Sequence, residues 1–378
     1  MTLPVSTSVL ANRTSGDRDA NQPRETTRRE IGLDATTTVN RGEAGQGEAG
    51  QGEADRGPVM TTGRIDTHHH IVPPMWADAL GASGYFGGQA TPAWSPAAAL
   101  ELLDELGIDT AVVSVGRPGV HLGGTDAAAR ALARQVNEFA ADLVREHPGR
   151  FGFFASVPLP DVDGSLAEVG YALDELNADG VILLANVDGT YLGDPAFDPL
   201  MTELDRRGTV VFVHPTAPPG PAVPGVPAFS ADFLLDTTRA ALNLVRHGVV
   251  ARLPRLRMIL SHAGGFVPYA AHRMASLTEG AAGHVVTREN FLRDLRTFYF
   301  DTALSANPHT LPSLLSFADP DRVLYGSDWP YARGDNAQYF TAQLDAYPLT
   351  ETQRTAINRD NALALLPRVA NVSATSFS

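Results

Sequence analysis

Arg64-Ile-Asp-Thr-His-His-His70 is the first stretch of this chain that alternates like a strand, and its reading organises the rest. A strand is expected from Arg64 to His68. Alternate residues of an extended chain share a side, so His68 and His70 project together while His69 faces the other way. Two imidazoles on one face form a natural pair of metal ligands, although a solvated histidine run is the plainer alternative.

Downstream, short apolar runs recur at Thr110–Val115, Phe151–Val157, Gly180–Ala185, Thr209–His214, Arg257–His262, Thr297–Asp301 and Arg322–Tyr325. Helical patterns separate them, among them Ala97–Leu106, Asp126–Glu146, Leu166–Leu176, Asp232–His247 and Pro312–Phe317. Eight β/α alternations over about 300 residues match a (β/α)8 TIM barrel. A doubly wound sheet is disfavoured, because no glycine-rich dinucleotide turn follows the first strand. The Pro/Gly-rich segment Pro215–Pro227 follows a strand end, where barrels carry functional loops.

Composition narrows the chemistry. The 378 residues contain no cysteine, and all 29 basic residues are arginine. Thiolate metal sites, iron–sulfur clusters, Schiff-base lysines and carbamylated-lysine bridges are therefore excluded. A formal charge of −14 argues against nucleic-acid or anionic-membrane partners and for a small-molecule substrate. No apolar run is long enough to span a bilayer, and Met1–Leu10 lacks a basic leader region, so a cytoplasmic location is expected.

Residues 1–63 are polar and carry an imperfect repeat over Gly42–Asp55, which reads as a disordered low-complexity tail before a catalytic domain over 64–378. Met60 stands just ahead of the first strand as an alternative start. Intact mass of protein from its natural source separates the two starts.

Further polar residues fall at expected strand ends. His214 closes Val210-Val-Phe-Val213, and His262 closes Met258-Ile-Leu-Ser261 ahead of Ala263-Gly-Gly265. Asp328 follows an apolar run in Tyr325-Gly-Ser-Asp-Trp-Pro330. Singly, each has a structural explanation, such as a loop histidine or a helix cap. Together they converge on the end of the barrel where active sites lie, and imidazoles with a carboxylate suit one divalent ion, Zn²⁺ or Mn²⁺.

These motifs resemble the amidohydrolase superfamily, in particular its metal-dependent nonoxidative decarboxylases acting on aminocarboxymuconate semialdehyde, γ-resorcylate or 6-methylsalicylate. The resemblance spans Arg64 to about Leu366. It implies His68, His70, His214 and Asp328 as metal ligands and His262 as an unliganded catalytic histidine, with Asp328 sharing the catalytic role. It also implies that Arg273 binds a substrate carboxylate across a homodimer interface, as a guanidinium fork can. The stretch from His70 to Gly116 holds no basic residue, so the family's second substrate arginine has no clear counterpart and a dicarboxylate is disfavoured.

The first loop is instead rich in aromatic and apolar residues, with Trp76, Tyr85, Phe86 and Trp94 suited to an aromatic monocarboxylate, core packing being the equal alternative. His121 is a secondary candidate for substrate contact, with a plain loop residue the favoured alternative, and Asp301 could orient His262 or a substrate hydroxyl, or cap a helix. The expected reaction is decarboxylation of an ortho-hydroxylated aromatic acid of the 6-methylsalicylate type. The alternative is hydrolysis of a lactone, ester or amide by metal-bound hydroxide.

Overall fold

The computed structural model describes residues 63–84, 91–279, 286–332 and 335–370. The expected N-terminal tail lies outside the described residues, apart from Gly63. The strands are β1 (Arg64–His70), β2 (Ile108–Ser114), β3 (Phe151–Ser156), β4 (Gly180–Leu184), β5 (Asn186–Val187), β6 (Thr190–Tyr191), β7 (Val210–His214), β8 (Arg257–Leu260), β9 (Tyr299–Asp301) and β10 (Val323–Leu324).

Eight of them form one parallel sheet in the order β1-β2-β3-β4-β7-β8-β9-β10, while β5 and β6 make a small antiparallel hairpin. The sheet curls into a barrel because its two ends meet: Thr67 N–H donates to Tyr325 O at 3.0 Å, Asp328 N–H to His68 O at 2.8 Å and His70 N–H to Trp329 O at 2.7 Å. The structure is a TIM barrel.

Alternation along each strand builds two apolar layers. Inside, Ile65, Val112, Phe154, Ile182, Phe212 and Leu324 pack together, and Leu365, Leu366 and Val369 near the C-terminus join the same cluster. Outside, the opposite strand faces pack on the surrounding helices. The amphipathic helix Asp126–Glu146 is typical: it buries Ala129, Leu132, Val136 and Ala140 at helical spacing and is N-capped by Thr125. Arg64, at the start of β1, is 1% exposed. Its guanidinium donates to Asn358 Oδ1 at 2.8 Å and Leu106 O at 2.5 Å and pairs with Asp345, so the charge is neutralised where it is buried.

Most expected strands coincide with observed ones to within two residues. β1 runs two residues further than expected, to His70, because the backbone bonds to the β10 end extend the pairing. β8 stops at Leu260 rather than His262, because His262, Ala263, Gly264 and Gly265 all have positive φ, between 54° and 72°.

Candidate metal centre and active site

The tips of β1, β7 and the segment after β10 bring His68, His70, His214 and Asp328 together, with their ligand atoms within 4.8 Å of one another and all four side chains buried. Nε2 of His68 and Nε2 of His70 are 3.2 Å apart, and each lies 3.2 Å from Asp328 Oδ1. Tetrahedral ligands about 2.0–2.1 Å from one ion would be about 3.3 Å apart, so the spacing fits a single cation. Asp328 Oδ1 is buried between these imidazoles without a well-directed hydrogen bond among the described residues, a lack that such a cation would make good.

The far sides of the three rings explain why their Nε2 atoms converge. Nδ1 of His68 faces Asp301 Oδ2 at 2.8 Å, Nδ1 of His70 faces Ser114 O at 3.2 Å, and Nδ1 of His214 faces Pro215 O at 2.8 Å. Each acceptor holds a proton on Nδ1, which leaves the Nε2 lone pair free toward the common point.

Electrostatics separates the rings. For His68, burial works against the charged form, but Asp301 and Asp328 outweigh it and raise its pKa to about 10. Burial lowers His70, and burial together with the neighbouring imidazoles lowers His214 well below the usual range. Burial alone would raise Asp328, yet the adjacent imidazoles, His68 first, hold it well below the ordinary carboxylate value. In the metal-free centre His68 therefore carries a second ring proton, on the Nε2 that faces Asp328, and an incoming ion must displace it.

His262 stands beside this group, with Nδ1 3.1 Å from Ala303 O and Nε2 4.0 Å from Asp328 Oδ2. Its backbone is left-handed at φ 54°, ψ 54°, a conformation costing roughly 1–3 kcal/mol that needs support from its surroundings. Asp301 Oδ1 accepts from the His262 N–H at 2.8 Å and Phe266 N–H donates to Thr238 Oγ1 at 2.8 Å. A side chain at Gly265 would lie 2.1 Å from Leu234 O, so the turn also requires that glycine.

Between the segments after β7 and β10 opens a cavity of about 1330 Å³, reached by His214, His262 and Asp328 and walled by Phe233, Phe266 and Trp329. A smaller cavity of about 410 Å³ lies over β2, β3 and β4.

The remaining candidates are distributed differently from expectation. Trp76 is fully buried in the core with its indole N–H donating to Gly119 O at 2.7 Å, so it packs the first loop and does not line the large cavity. His121 faces the smaller cavity, 3.5 Å from Asp126. Asp301 is wholly buried, and its oxygens serve His68 and the His262 and Ala303 backbones, which makes it a brace for the histidines and not a wall of the cavity. Arg273 is exposed on the helix Val267–Thr278, one turn after Tyr269 of the cavity rim. Tyr85 and Phe86 lie outside the described residues. Arg117 and Tyr331 line the large cavity without having been singled out in the sequence. Arg117 stands one residue past the stretch searched for a basic side chain, and the rule that strand ends carry function would have found it.

This fold and centre define a metal-dependent barrel hydrolase or lyase, and the chain belongs to the amidohydrolase family, which it matches over residues 65–368. Among characterised relatives, the 6-methylsalicylic acid decarboxylase of Penicillium expansum is 39% identical over 316 residues, covering 82% of this chain and 98% of that one. A decarboxylase of Aspergillus niger is also 39% identical, over 81% of this chain and 88% of its own length. A crystal structure of 2,6-dihydroxybenzoate decarboxylase complexed with 2,6-dihydroxybenzoate superposes with a TM-score of 0.69 at 25% identity, covering 81% of this chain and all of that one, 100%.

Two outcomes are expected. Asp301→Asn, which weakens the brace on His68, raises the metal dissociation constant about 10–100-fold in a chelator competition; an unchanged constant contradicts the bracing role. Because His68 is raised to about 10 in the metal-free fold, metal binding releases its proton at any pH below about 10, and affinity climbs with pH up to that value. By the same sign, pairing of charged His68 stabilises the metal-free fold below about pH 6.5 and is lost as pH rises through 10. Calorimetry in buffers of different ionisation enthalpy reads the proton; none released at pH 8 contradicts the assignment.

Proposed function

We propose that this chain is a metal-dependent nonoxidative decarboxylase of an ortho-hydroxylated aromatic acid, with 2-hydroxy-6-methylbenzoate as the representative substrate. The observation that carries the proposal is the junction of a buried three-imidazole, one-carboxylate centre with an aromatic-walled cavity, in a chain 39% identical to a 6-methylsalicylic acid decarboxylase along nearly all of that protein.

His68, His70, His214 and Asp328 would hold one divalent ion, Zn²⁺ or Mn²⁺ by the donor set. Once bound, the ion supplies Lewis-acid charge that draws in the phenolate and one carboxylate oxygen of the substrate. The walls formed by Phe233, Phe266 and Trp329 take the ring and exclude water. Asp328 and His262, 4.0 Å apart, form the proton-handling pair. With its Nδ1 proton engaged by Ala303 O, His262 presents Nε2 toward Asp328. The proton that the substrate's ortho-hydroxyl gives up on becoming the phenolate passes to this pair, and from it forms a C–H bond at the carboxylated ring carbon. The C–C bond then breaks, its electron pair restores the aromatic ring, and CO₂ departs.

Metal-loaded protein should release one CO₂ per 2-hydroxy-6-methylbenzoate and, in deuterated water, yield 3-methylphenol labelled at C2. His262→Ala should lower kcat by at least about 10²-fold while retaining the metal. Absence of both CO₂ release and ring exchange overturns the proposal, and a product heavier by one water from a lactone, ester or amide would point to hydrolysis.

We also propose a homodimer formed through the helix Val267–Thr278, where Tyr269 and Leu277 are 85% and 64% exposed on either side of Arg273. Burying that stripe would place Arg273 in the interface. Sedimentation should give about twice the chain mass of 40.2 kDa, and a monomer at micromolar concentration would contradict it.

A further inference from the structure

We infer that Tyr331 and Arg117 form a donor pair that holds the departing carboxylate and selects carboxylated rings over the decarboxylated product. The inference rests on the decarboxylase proposal above.

Three observations carry it. Tyr331 lines the large cavity, yet its phenolic oxygen is buried with no hydrogen-bond partner among the described residues. A buried hydroxyl left unpaired is costly, and one facing a ligand cavity is satisfied when the ligand brings an acceptor. Its ring packs edge-on against the ligand imidazole of His70, with centroids 5.1 Å apart, so whatever the hydroxyl meets is adjacent to the metal centre. Secondly, Arg117 lines the same cavity with its guanidinium 4.9 Å above the Phe233 ring, a platform that restrains the fork.

Thirdly, the chain makes room for this arrangement. A side chain at Gly116 would begin 2.8 Å from Tyr331 Cε2, and Gly116 directly precedes Arg117. The glycine two residues past β2 therefore seats the tyrosine and directly precedes the arginine.

The chemistry matches a salicylate-type acid. Its phenolate and one carboxylate oxygen would be drawn to a cation held by His68, His70, His214 and Asp328, and the second carboxylate oxygen would then need donors. A phenol, protonated at neutral pH, and a guanidinium supply them. The carboxylate loses its charge as CO₂ forms, so these donors hold the ground state at least as firmly as the transition state. They act on KM and on product discrimination, and not on kcat.

The test uses two unreactive halves of the substrate on metal-loaded protein. 2-Methylbenzoate keeps the carboxylate and lacks the hydroxyl; 3-methylphenol keeps the hydroxyl and lacks the carboxylate. Direct titration should show Tyr331→Phe weakening 2-methylbenzoate about tenfold or more while 3-methylphenol stays within about twofold. Arg117→Gln should do the same, and Arg117→Lys should recover part of the loss. Gly116→Ala, which pushes the Tyr331 ring and its hydroxyl out of position without removing either, should reproduce the Tyr331→Phe pattern. Metal content and melting temperature report folding. With 2-hydroxy-6-methylbenzoate, KM should rise about tenfold in Tyr331→Phe with kcat nearly unchanged.

If both probes weaken together, the pair is structural; if neither weakens, it does not touch the carboxylate. Either result overturns the inference. Wild-type protein that releases no CO₂, but loses only 2-methylbenzoate on these substitutions, would sustain the inference and remove the decarboxylase proposal.

Discussion

The seam between β1 and the end of β10 is the constraint on which the molecule depends. Three backbone hydrogen bonds of 2.7–3.0 Å close the barrel there, and the peptide groups that make them belong to Thr67, His68, His70, Tyr325, Asp328 and Trp329. Closing the sheet and bringing His68, His70 and Asp328 within 3.2 Å of each other are thus one event. Asp328 sits at φ 59°, an unfavourable conformation for a residue other than glycine. Its neighbours hold it: Asp66 Oδ1 accepts from Ser327 N–H at 3.1 Å, and Asp66 Oδ2 from Ser327 Oγ–H at 2.5 Å. His69, on the outer side of β1, reaches the same carboxylate through Nδ1 at 3.1 Å and packs on Trp329. Asp66, His69 and Ser327 resemble a nucleophilic triad in composition only. Both short contacts of His69 involve Nδ1, so the group locks the seam and activates nothing.

Around that seam the strand tips divide the work. β1 and β7 give imidazoles with converging Nε2 atoms, β9 gives the carboxylate that braces two histidines at once, and the turn after β8 gives a histidine free of the ligand group. Burial supplies the energy scale. Four ionisable side chains removed from water would repel or neutralise one another, and their donor set suits one divalent ion, which would take the place of a proton on His68 and compensate Asp328. Lysine and cysteine have no part in such a centre, in keeping with their absence from the whole sequence. Among the described residues, no helix is long and apolar enough to cross a membrane.

Much of this was legible in the sequence because it depends on local periodicity. The barrel strands are short runs such as Val210-Val-Phe-Val213, and their C-terminal punctuation by His214-Pro215 or Ser327-Asp328 marks the functional end. Where a role is set by tertiary packing, the sequence left alternatives open that only the fold distinguishes. Trp76 looked like a cavity aromatic, but the helix Pro74–Ser83 turns it inward with Leu80. His121 follows a strand end as His214 does, yet the chain bends it toward Asp126 and a different cavity. Asp301 carries no sequence mark distinguishing a brace from a substrate contact; only its contacts with His68 and the His262 backbone do. The β5–β6 hairpin is two residues per strand, too short for any alternation to register. Arg117 and Tyr331 each follow a recognised motif by a few residues, and their meeting in one cavity is a product of the fold.

The central claim is that the seam assembles a centre for one ion held by three imidazoles and one carboxylate. X-ray absorption on protein loaded to saturation, with the metal counted per chain, tests it most directly. The account predicts one ion per chain, nitrogen and oxygen ligands at about 2.0–2.2 Å, and multiple scattering from three imidazole rings. Two ions per chain, or scattering from fewer than three rings, would contradict it.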